Sequence, residues 1–242
     1  MGVSVVTGAG SGIGRACAEM LAERGDHLVC LDVDLQAAEA TASRLPEATA
    51  VRADVRDASQ CAAAFAKGIA LYGEVETLVT CAGIEEHAPA QDMSEEMFDT
   101  VVDINLKGSF ICAQLAGRSM IRRGGGFVVL IGSILSAVAH PNDAAYVASK
   151  GGVLQLARAL AIDWAKYSIT VNCIGPGLVD TPLSARSLAD PEKRAALLAR
   201  IPLARPAAAR EIAEVAGFLA SPRAAYITGA YIPVDGGWLA AG

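Results

Sequence analysis

The sequence predicts a doubly wound α/β domain: a mainly parallel seven-stranded sheet with helices on both faces. Three observations lead there. Seven short apolar, strand-like runs alternate with longer helical stretches along the 242 residues. The first of these runs enters a glycine-rich turn that opens a helix. No internal repeat or low-complexity linker interrupts the alternation, so residues 1–242 read as one domain.

Val3–Val6 opens the chain as a β-branched run, and Gly12–Arg24 follows with helical spacing. His27–Leu31 is the second strand and Leu35–Leu45 the second helix. Thr49–Ala53, Ser59–Tyr72 and Thr77–Thr80 continue the rhythm as strand, helix and strand. One long helix is expected from Glu95 to Arg122. Strand Phe127–Ile131, helix Ala144–Tyr167, strand Thr170–Cys173, helix Arg210–Ala220 and strand Tyr231–Val234 complete the pattern. Parallel neighbours require crossover connections, which are right-handed. One stretch breaks the alternation. Residues 175–209 carry Pro176, Pro182, Pro191, Pro202 and Pro206 around a short helical patch, Pro191–Arg200. Insertions of this length in compact domains are usually functional, and this one is expected to be a substrate-binding lid.

Composition narrows the function. The chain is 53% hydrophobic and 19% charged, with a net charge of −6 and no basic stripe, so nucleic acid is not an expected partner. No apolar run approaches the roughly 18 residues a membrane span needs. Strand-like sequence begins at Val3 with no basic segment before it, so no signal peptide is expected. The six cysteines are scattered without a Cys-x-x-Cys pair, which suits a reducing, cytoplasmic compartment and no structural zinc. His27, His87 and His140 lack metal-ligand spacing, so no metal is expected.

The turn after the first strand reads Thr7-Gly8-Ala9-Gly10-Ser11-Gly12-Ile13-Gly14. Strand, glycine turn and helix together form the setting in which a dinucleotide diphosphate binds, as in Rossmann-type domains. Gly8 permits the tight turn, Gly12 leaves room for the diphosphate, and Gly14 lets helix and strand pack closely. The helix N-terminus supplies unpaired N–H groups and partial positive charge. Asp32 stands 18 residues beyond Gly14, at the end of the second strand. A carboxylate there accepts from both adenosine ribose hydroxyls and repels a 2′-phosphate. Neither the glycine loop nor Val33-Asp34 offers a basic residue, so NAD is expected over NADP. Asp54, just past the third strand, is a candidate acceptor for the adenine amino group or a turn cap.

Tyr146 and Lys150 stand four residues apart in Tyr146-Val147-Ala148-Ser149-Lys150, with Ser133 thirteen residues upstream. On a helix that spacing places both side chains on one face. A phenol beside an ammonium is a candidate general acid/base for an alcohol losing hydride or a ketone gaining it. At about 4 Å and an effective dielectric near 20, the ammonium favours phenolate by on the order of 4 kcal/mol. Desolvation opposes this, so the expected net lowering of the phenol pKa is roughly two to three pH units.

With these pieces together, the chain resembles the short-chain dehydrogenase/reductases, in the branch of single domains of about 250 residues. The resemblance rests on Thr7-Gly8-x-x-x-Gly12-Ile13-Gly14, Asp54, Ala82-Gly83, Asn105, Ser133, Tyr146-x-x-x-Lys150 and Pro176-Gly177, in the family's order and spacing over essentially the whole sequence. It implies a catalytic tetrad of Asn105, Ser133, Tyr146 and Lys150. Tyr146 would be the acid/base and Ser133 would hydrogen-bond the substrate oxygen. Lys150 would hold the nicotinamide ribose and lower the phenol pKa, and Asn105 would hold a water that links Lys150 to solvent. Cofactor contacts are implied for Gly8, Ser11, Gly12, Ile13, Gly14, Asp32, Asp54, Val55, Ala82, Gly83, Tyr146, Lys150, Pro176, Gly177, Val179 and Thr181. There is one departure. Thr80-Cys81-Ala82-Gly83 replaces the usual Asn-Asn-Ala-Gly, leaving Thr80 with one hydroxyl for local bracing.

The expected substrate pocket is walled by the segment from Ile134 to Ala145, the loop after Gly83 and the insertion after Gly177. Candidate substrate residues are Glu85, Leu135, His140, Asn142 and Leu183; Glu86 and His87 lie in the same loop. The mixture suits a sugar, a polyol or another small secondary alcohol. A 3-oxoacyl-[acyl-carrier-protein] reductase is the nearest alternative, although Asp32 disfavours the NADPH such enzymes typically use. A non-catalytic NAD-binding regulator is the alternative from another class, against which the complete tetrad weighs. The resemblance also implies a homotetramer, with interfaces on helices 95–122 and 144–167 and the tail 231–242.

Overall fold

The computed structural model describes residues 2–241. In chain order the strands are β1 (Val3–Thr7), β2 (His27–Asp32), β3 (Ala48–Arg52), β4 (Val75–Thr80), β5 (Gly126–Ile131), β6 (Ile169–Pro176), β7 (Val179–Asp180), β8 (Ala207–Ala208) and β9 (Tyr231–Val234). The helices are α1 (Gly12–Glu23), α2 (Leu35–Ala42), α3 (Ala58–Tyr72), α4 (Glu95–Val102), α5 (Gly108–Arg123), α6 (Ala144–Trp164), α7 (Ala185–Ala189), α8 (Pro191–Leu198) and α9 (Ala209–Leu219). Seven strands form one sheet in the order β3-β2-β1-β4-β5-β6-β9, every neighbouring pair parallel. The predicted architecture is therefore the observed one.

Alternation along the strands sends side chains into two cores. Val5, Leu78, Val128 and Leu130 face the helices α3, α5 and α6, where Phe65, Cys112, Ala116, Met120 and Val153 meet them. Val6, Val79 and Val129 face the opposite way, against Cys17 and Leu21 of α1, Ala38 of α2 and Ile212 and Ala216 of α9. Burial on both faces explains why the central strands read as near-continuous apolar runs. Helix starts carry their own stops for the backbone. Asp34 accepts from Ala37 N, Asp57 from Ser59 N and Gln60 N, Ser94 from Met97 N, and Asp190 from Glu192 N and Lys193 N. At α1 the N-cap is Ser11, whose hydroxyl makes no capping bond, so the first-turn donors face the crevice unclaimed by a side chain.

Two expectations change. The helix predicted from Glu95 to Arg122 is α4 and α5 joined by a π-helical segment, Asp103–Lys107. The wider π turn accommodates one extra residue within an otherwise continuous helix, and no Pro or Gly at 103–107 marks it in the sequence. The insertion is also more ordered than a helical patch. Besides α8 it holds α7 and the parallel pair β7–β8, in which Val179 faces Ala207 and Asp180 faces Ala208. That pair ties the two ends of the insertion together. A small third core of Ile134, Ile201 and Trp238 seats it against the loop after β5.

Substitution of Leu78 by Ala, at 0% exposure in the central sheet, should cost about 2–5 kcal/mol in urea unfolding. Leu71→Ala, on the outer face of α3 at 55% exposure, should change stability by less than about 0.5 kcal/mol.

Candidate active site

The strand order reverses at β1, which pairs with β2 on one side and β4 on the other. Ligand crevices in open α/β sheets lie at the C-terminal ends of such strands. Here one cleft of about 340 Å³ is lined by Gly8, Ser11, Gly12, Ile13, Gly14, Asp32, Asp54, Val55, Ala82, Gly83 and Thr181. The glycines are required by contact as well as by turn shape. A Cβ on Gly14 would lie 2.0 Å from Gly8 O. One on Gly8, at φ +65, would lie 2.8 Å from Ala82 N. Asp32 is fixed at the mouth: its Oδ2 accepts from Gly10 N at 2.8 Å and its Oδ1 from Asp34 N at 3.0 Å. A glycine cradle, an unclaimed helix N-terminus and a fixed carboxylate fit a dinucleotide.

Two adenosine-side expectations need adjustment. Asp54 does line the cleft, but Arg56 grips its carboxylate, with Arg56 Nη2 2.7 Å from Oδ2 and Arg56 N 2.9 Å from Oδ1. The guanidinium holds this carboxyl below its ordinary pKa. Asp54 thus shares its lone pairs with Arg56 rather than presenting them free. The bracing expected of Thr80 is absent, since its hydroxyl is buried without a partner. Thr7 takes the task, its Oγ1 accepting from Cys81 N at 3.1 Å and Ala82 N at 3.2 Å. Cys17 and burial push the Cys81 thiol well above its ordinary pKa, which argues against a reactive thiol.

A second cleft of about 260 Å³ adjoins the first, sharing Ile13, Cys81, Gly83, Thr181 and Leu183 with it, and Val179 lines it as well. Ser133, Tyr146 and Lys150 line it together with Pro176 and Gly177. Ser133 follows β5 by two residues and caps the short turn Ile134–Ser136, its Oγ accepting from Leu135 N at 3.1 Å. Its carbonyl accepts from the Tyr231 hydroxyl at 2.9 Å, and Ser136 Oγ reaches across to Lys150 O at 2.8 Å. β5 and α6 are thereby locked in the register that faces Ser133 toward Tyr146.

Asn105 sits fully buried in the π-helical segment and is a brace. Its Oδ1 accepts from Ile84 N at 2.9 Å, and its Nδ2 donates to Ile84 O at 2.9 Å and to Ser149 Oγ at 3.0 Å. Ser149 in turn donates to Tyr146 O at 2.8 Å. The carboxamide is therefore used by the protein. The Asn105 backbone carbonyl accepts from Ser109 Oγ at 2.7 Å.

Lys150 is 6% exposed and donates from Nζ to Ile131 O at 2.8 Å. Burial brings its pKa down to about 8. Its Nζ lies 5.7 Å from the centroid of the Tyr146 ring. The expected lowering of the phenol pKa does not appear among the protein's own groups. Burial pushes Tyr146 above its ordinary value; the Ser133 hydroxyl opposes this, and the negative charges of Glu85 and Asp143 add to it. The ammonium is turned to a carbonyl, and the charges that raise the phenol are the carboxylates of Glu85 and Asp143.

Of the candidate substrate residues, Glu85, Leu135, His140 and Leu183 line this cleft. Asn142 does not: it is exposed, at φ +67, and its carbonyl accepts from Ala88 N at 3.0 Å. The cleft instead receives His87, Asp143 and Trp238. Asp143 precedes Tyr146 by three residues, and an Asp at the start of a helix reads from sequence as an N-cap. No helix among those described crosses the length and apolarity a membrane span requires, and no described cluster of His, Cys, Asp and Glu has metal-site geometry.

A family model described as enoyl-(acyl carrier protein) reductase matches residues 8–239. The cis-4-hydroxycyclohexanecarboxylate dehydrogenase of Sinomonas cyclohexanicum is 42% identical over 98% of this chain and 96% of its own length. The NAD-dependent glycerol dehydrogenase of Listeria innocua is 36% identical over 98% of this chain and 93% of its own. The solved gluconate 5-dehydrogenase of Burkholderia cenocepacia, in complex with NADP and tartrate, superposes with a TM-score of 0.94 at 33% identity, covering 98% of this chain and 95% of that one.

The buried ammonium carries a sign that can be measured. The folded pKa of about 8 lies below the unfolded 10.5, so between these values the unfolded chain binds more protons. Through this group stability rises with pH across that window, the burial cost being fully present below it. Lys150→Met should remove this rise. Urea unfolding at both ends of the window should give a smaller gain for the variant than for wild type, and equal gains would contradict a buried charged Lys150.

Proposed function

The chain belongs to the short-chain dehydrogenase/reductase family, and from that premise we propose an NAD-dependent oxidoreductase that interconverts a small secondary alcohol and its ketone. The alcohol is a sugar, a polyol or another small hydroxy compound. The observation that carries this is the meeting of Ser133, Tyr146 and Lys150 on one wall, where the substrate cleft joins the dinucleotide cleft. Gly8–Gly14, Asp32, Val55, Ala82–Gly83, Pro176–Gly177, Val179 and Thr181 would hold the cofactor, which when bound supplies the hydride acceptor or donor.

The chain's own groups have separate tasks. Ser133 Oγ positions the substrate oxygen. Tyr146 Oη takes the hydroxyl proton in oxidation and returns it in reduction. Lys150 supplies fixed positive charge beneath the phenol and a donor for a ribose hydroxyl. Asn105 acts as a positioning residue through Ile84 and Ser149.

NAD is the preferred cofactor in this reading because Asp32 is held by two backbone N–H groups and lines the glycine-loop cleft, where its charge would repel a 2′-phosphate. The relatives bracket this choice, one being NAD-dependent and another solved with NADP. Their substrates likewise span uncharged and anionic alcohols. The family model's description favours one second reading, an acyl-carrier-protein reductase. Exposed Phe98 and Phe110 on α4 and α5 and Ile162 on α6 support a homotetramer through these helices.

Tyr146→Phe should lower kcat by on the order of a thousandfold while NADH still binds in a fluorescence titration. Lys150→Ala should impair both. Wild-type turnover in Tyr146→Phe would refute the assignment. Wild type should show a higher kcat/KM with NAD than with NADP, and Asp32→Ala should shrink that ratio at least tenfold by removing the charge that repels a 2′-phosphate. Reduction of acetoacetyl thioesters with NADPH in preference to NADH would instead establish the second reading.

A further inference from the structure

Beside Ser133 and Tyr146, the substrate cleft is lined by four titratable side chains from two loops: Glu85 and His87 after β4, His140 and Asp143 before α6. Asp143 is 4% exposed and stands at the N-cap of α6, yet its carboxylate makes no capping bond. Both oxygens go to imidazoles. Oδ1 meets His87 Nδ1 in a short contact, and Oδ2 lies 3.0 Å from His140 Nδ1. The neighbouring Ala88 N–Asn142 O bond fastens the same two loops, so the wall is fixed in place.

The partners determine where the protons sit. His140 Nδ1 lies between two acceptors, Asp143 Oδ2 and Pro141 O at 3.1 Å, and so must carry the hydrogen. In the neutral ring Nε2 is then a lone-pair acceptor. His87 stands between two carboxylates, Asp143 on Nδ1 and Glu85 on Nε2 at 3.5 Å, which favours the imidazolium with both hydrogens committed to the wall. What this leaves for a ligand is acceptor capacity, on Glu85 and on His140 Nε2. Two carboxylates against one imidazolium also leave the wall net negative. The other cation lining the cleft, Lys150, is turned to Ile131 O, and no arginine lines it among the described residues.

We propose that Glu85, His87, His140 and Asp143 form an acceptor wall that selects an uncharged polyhydroxylated alcohol and turns away hydroxy acids. Hydroxyl groups beside the carbinol can donate to Glu85 and His140, while a carboxylate at the same place meets like charge with no donor to receive it. Family membership leaves this question open, and the proposal rests on the dehydrogenase reading above. Glu85 and His140 contact the substrate; Asp143 and His87 position them.

Matched carbon skeletons test it. NADH formation is measured at pH 9 with NAD on polyols of three to six carbons, on the aldonates of the same lengths and on the corresponding 2-alkanols. The polyol of best length should exceed its aldonate at least a hundredfold in kcat/KM and its 2-alkanol at least tenfold. An aldonate equal to its polyol, or a 2-alkanol superior to it, overturns the wall while leaving the dehydrogenase reading intact. Silence on all three sets, with the ketones also unreduced, removes both. Glu85→Gln and Asp143→Asn should each narrow the polyol-to-aldonate ratio at least tenfold while NADH binding is retained. Because the ratio is internal to each protein, a loss of folded material does not move it. An unchanged ratio in Glu85→Gln, at the less buried of the two carboxylates, counts against the proposal even if Asp143→Asn fails to fold.

Discussion

Everything at this site depends on the parallel pairing of β1 with strands that leave it in opposite directions. Thr7 pairs with Leu31 on one side and with Thr80 on the other. The segments that follow must therefore part at the end of β1, and the gap between them is the dinucleotide cleft. Parting costs backbone partners at the strand ends. Thr7 restores one through its side chain, which holds Ala82 N, and it shares Cys81 N between its hydroxyl and its own carbonyl. The same closeness excludes a side chain at Gly8, whose Cβ would meet Ala82 N. Threonine followed by glycine thus answers two demands of one crossing point: an acceptor for the neighbouring loop and room for it to pass.

On that frame one helix of the second half carries the residues proposed for the chemistry. α6 carries Tyr146, Ser149 and Lys150 within two turns, and each faces a different support. Ser149 reaches the buried Asn105, Lys150 reaches Ile131 O, and Lys150's own carbonyl accepts from Ser136. These bonds come from three elements, so the position of α6 is over-determined. The charge so placed is costly. A lysine whose pKa falls from 10.5 to about 8 on burial implies a cost of about 3 kcal/mol at neutral pH. The fold retains it where a hydrophobic residue would pack more cheaply, which fits a role in catalysis rather than in stability.

The parts of this arrangement that recur with a period were legible from sequence. The strands are buried on both faces and announce themselves as apolar runs, and Gly8–Gly14 and Tyr146–Lys150 are local patterns with fixed geometry. What escaped is what depends on contacts across the chain. The π-helical turn at Asp103–Lys107 adds a residue without altering composition, yet it is the segment in which Asn105 lies buried. Thr80 and Thr7 are chemically alike, and only their facing decides that Thr7 braces while Thr80 is left without a partner. Asp143 has the sequence context of a helix cap, and it is the two histidines, one of them 56 residues away, that draw its carboxylate off the helix. Arg56 likewise claims Asp54, a pairing that the short turn between them permits but does not demand.

The acidic wall and the phenol act on one another. Glu85 and Asp143 add to the burial that raises the Tyr146 pKa, so the protein's own groups keep the proton on oxygen. Alcohol oxidation needs that proton gone, and the oxidised nicotinamide, being cationic, favours its loss when bound. Substrate hydroxyls donating to Glu85 and His140 would act in the same direction, because a carboxylate that accepts a hydrogen bond presents less charge to its surroundings. An alcohol without such hydroxyls would leave the wall's full negative charge facing Tyr146 and the phenol protonated. On this argument the wall discriminates in kcat as well as in KM. The groups that recognise the rest of the substrate also set how readily Tyr146 can accept the proton, so recognition and chemistry share the same carboxylates.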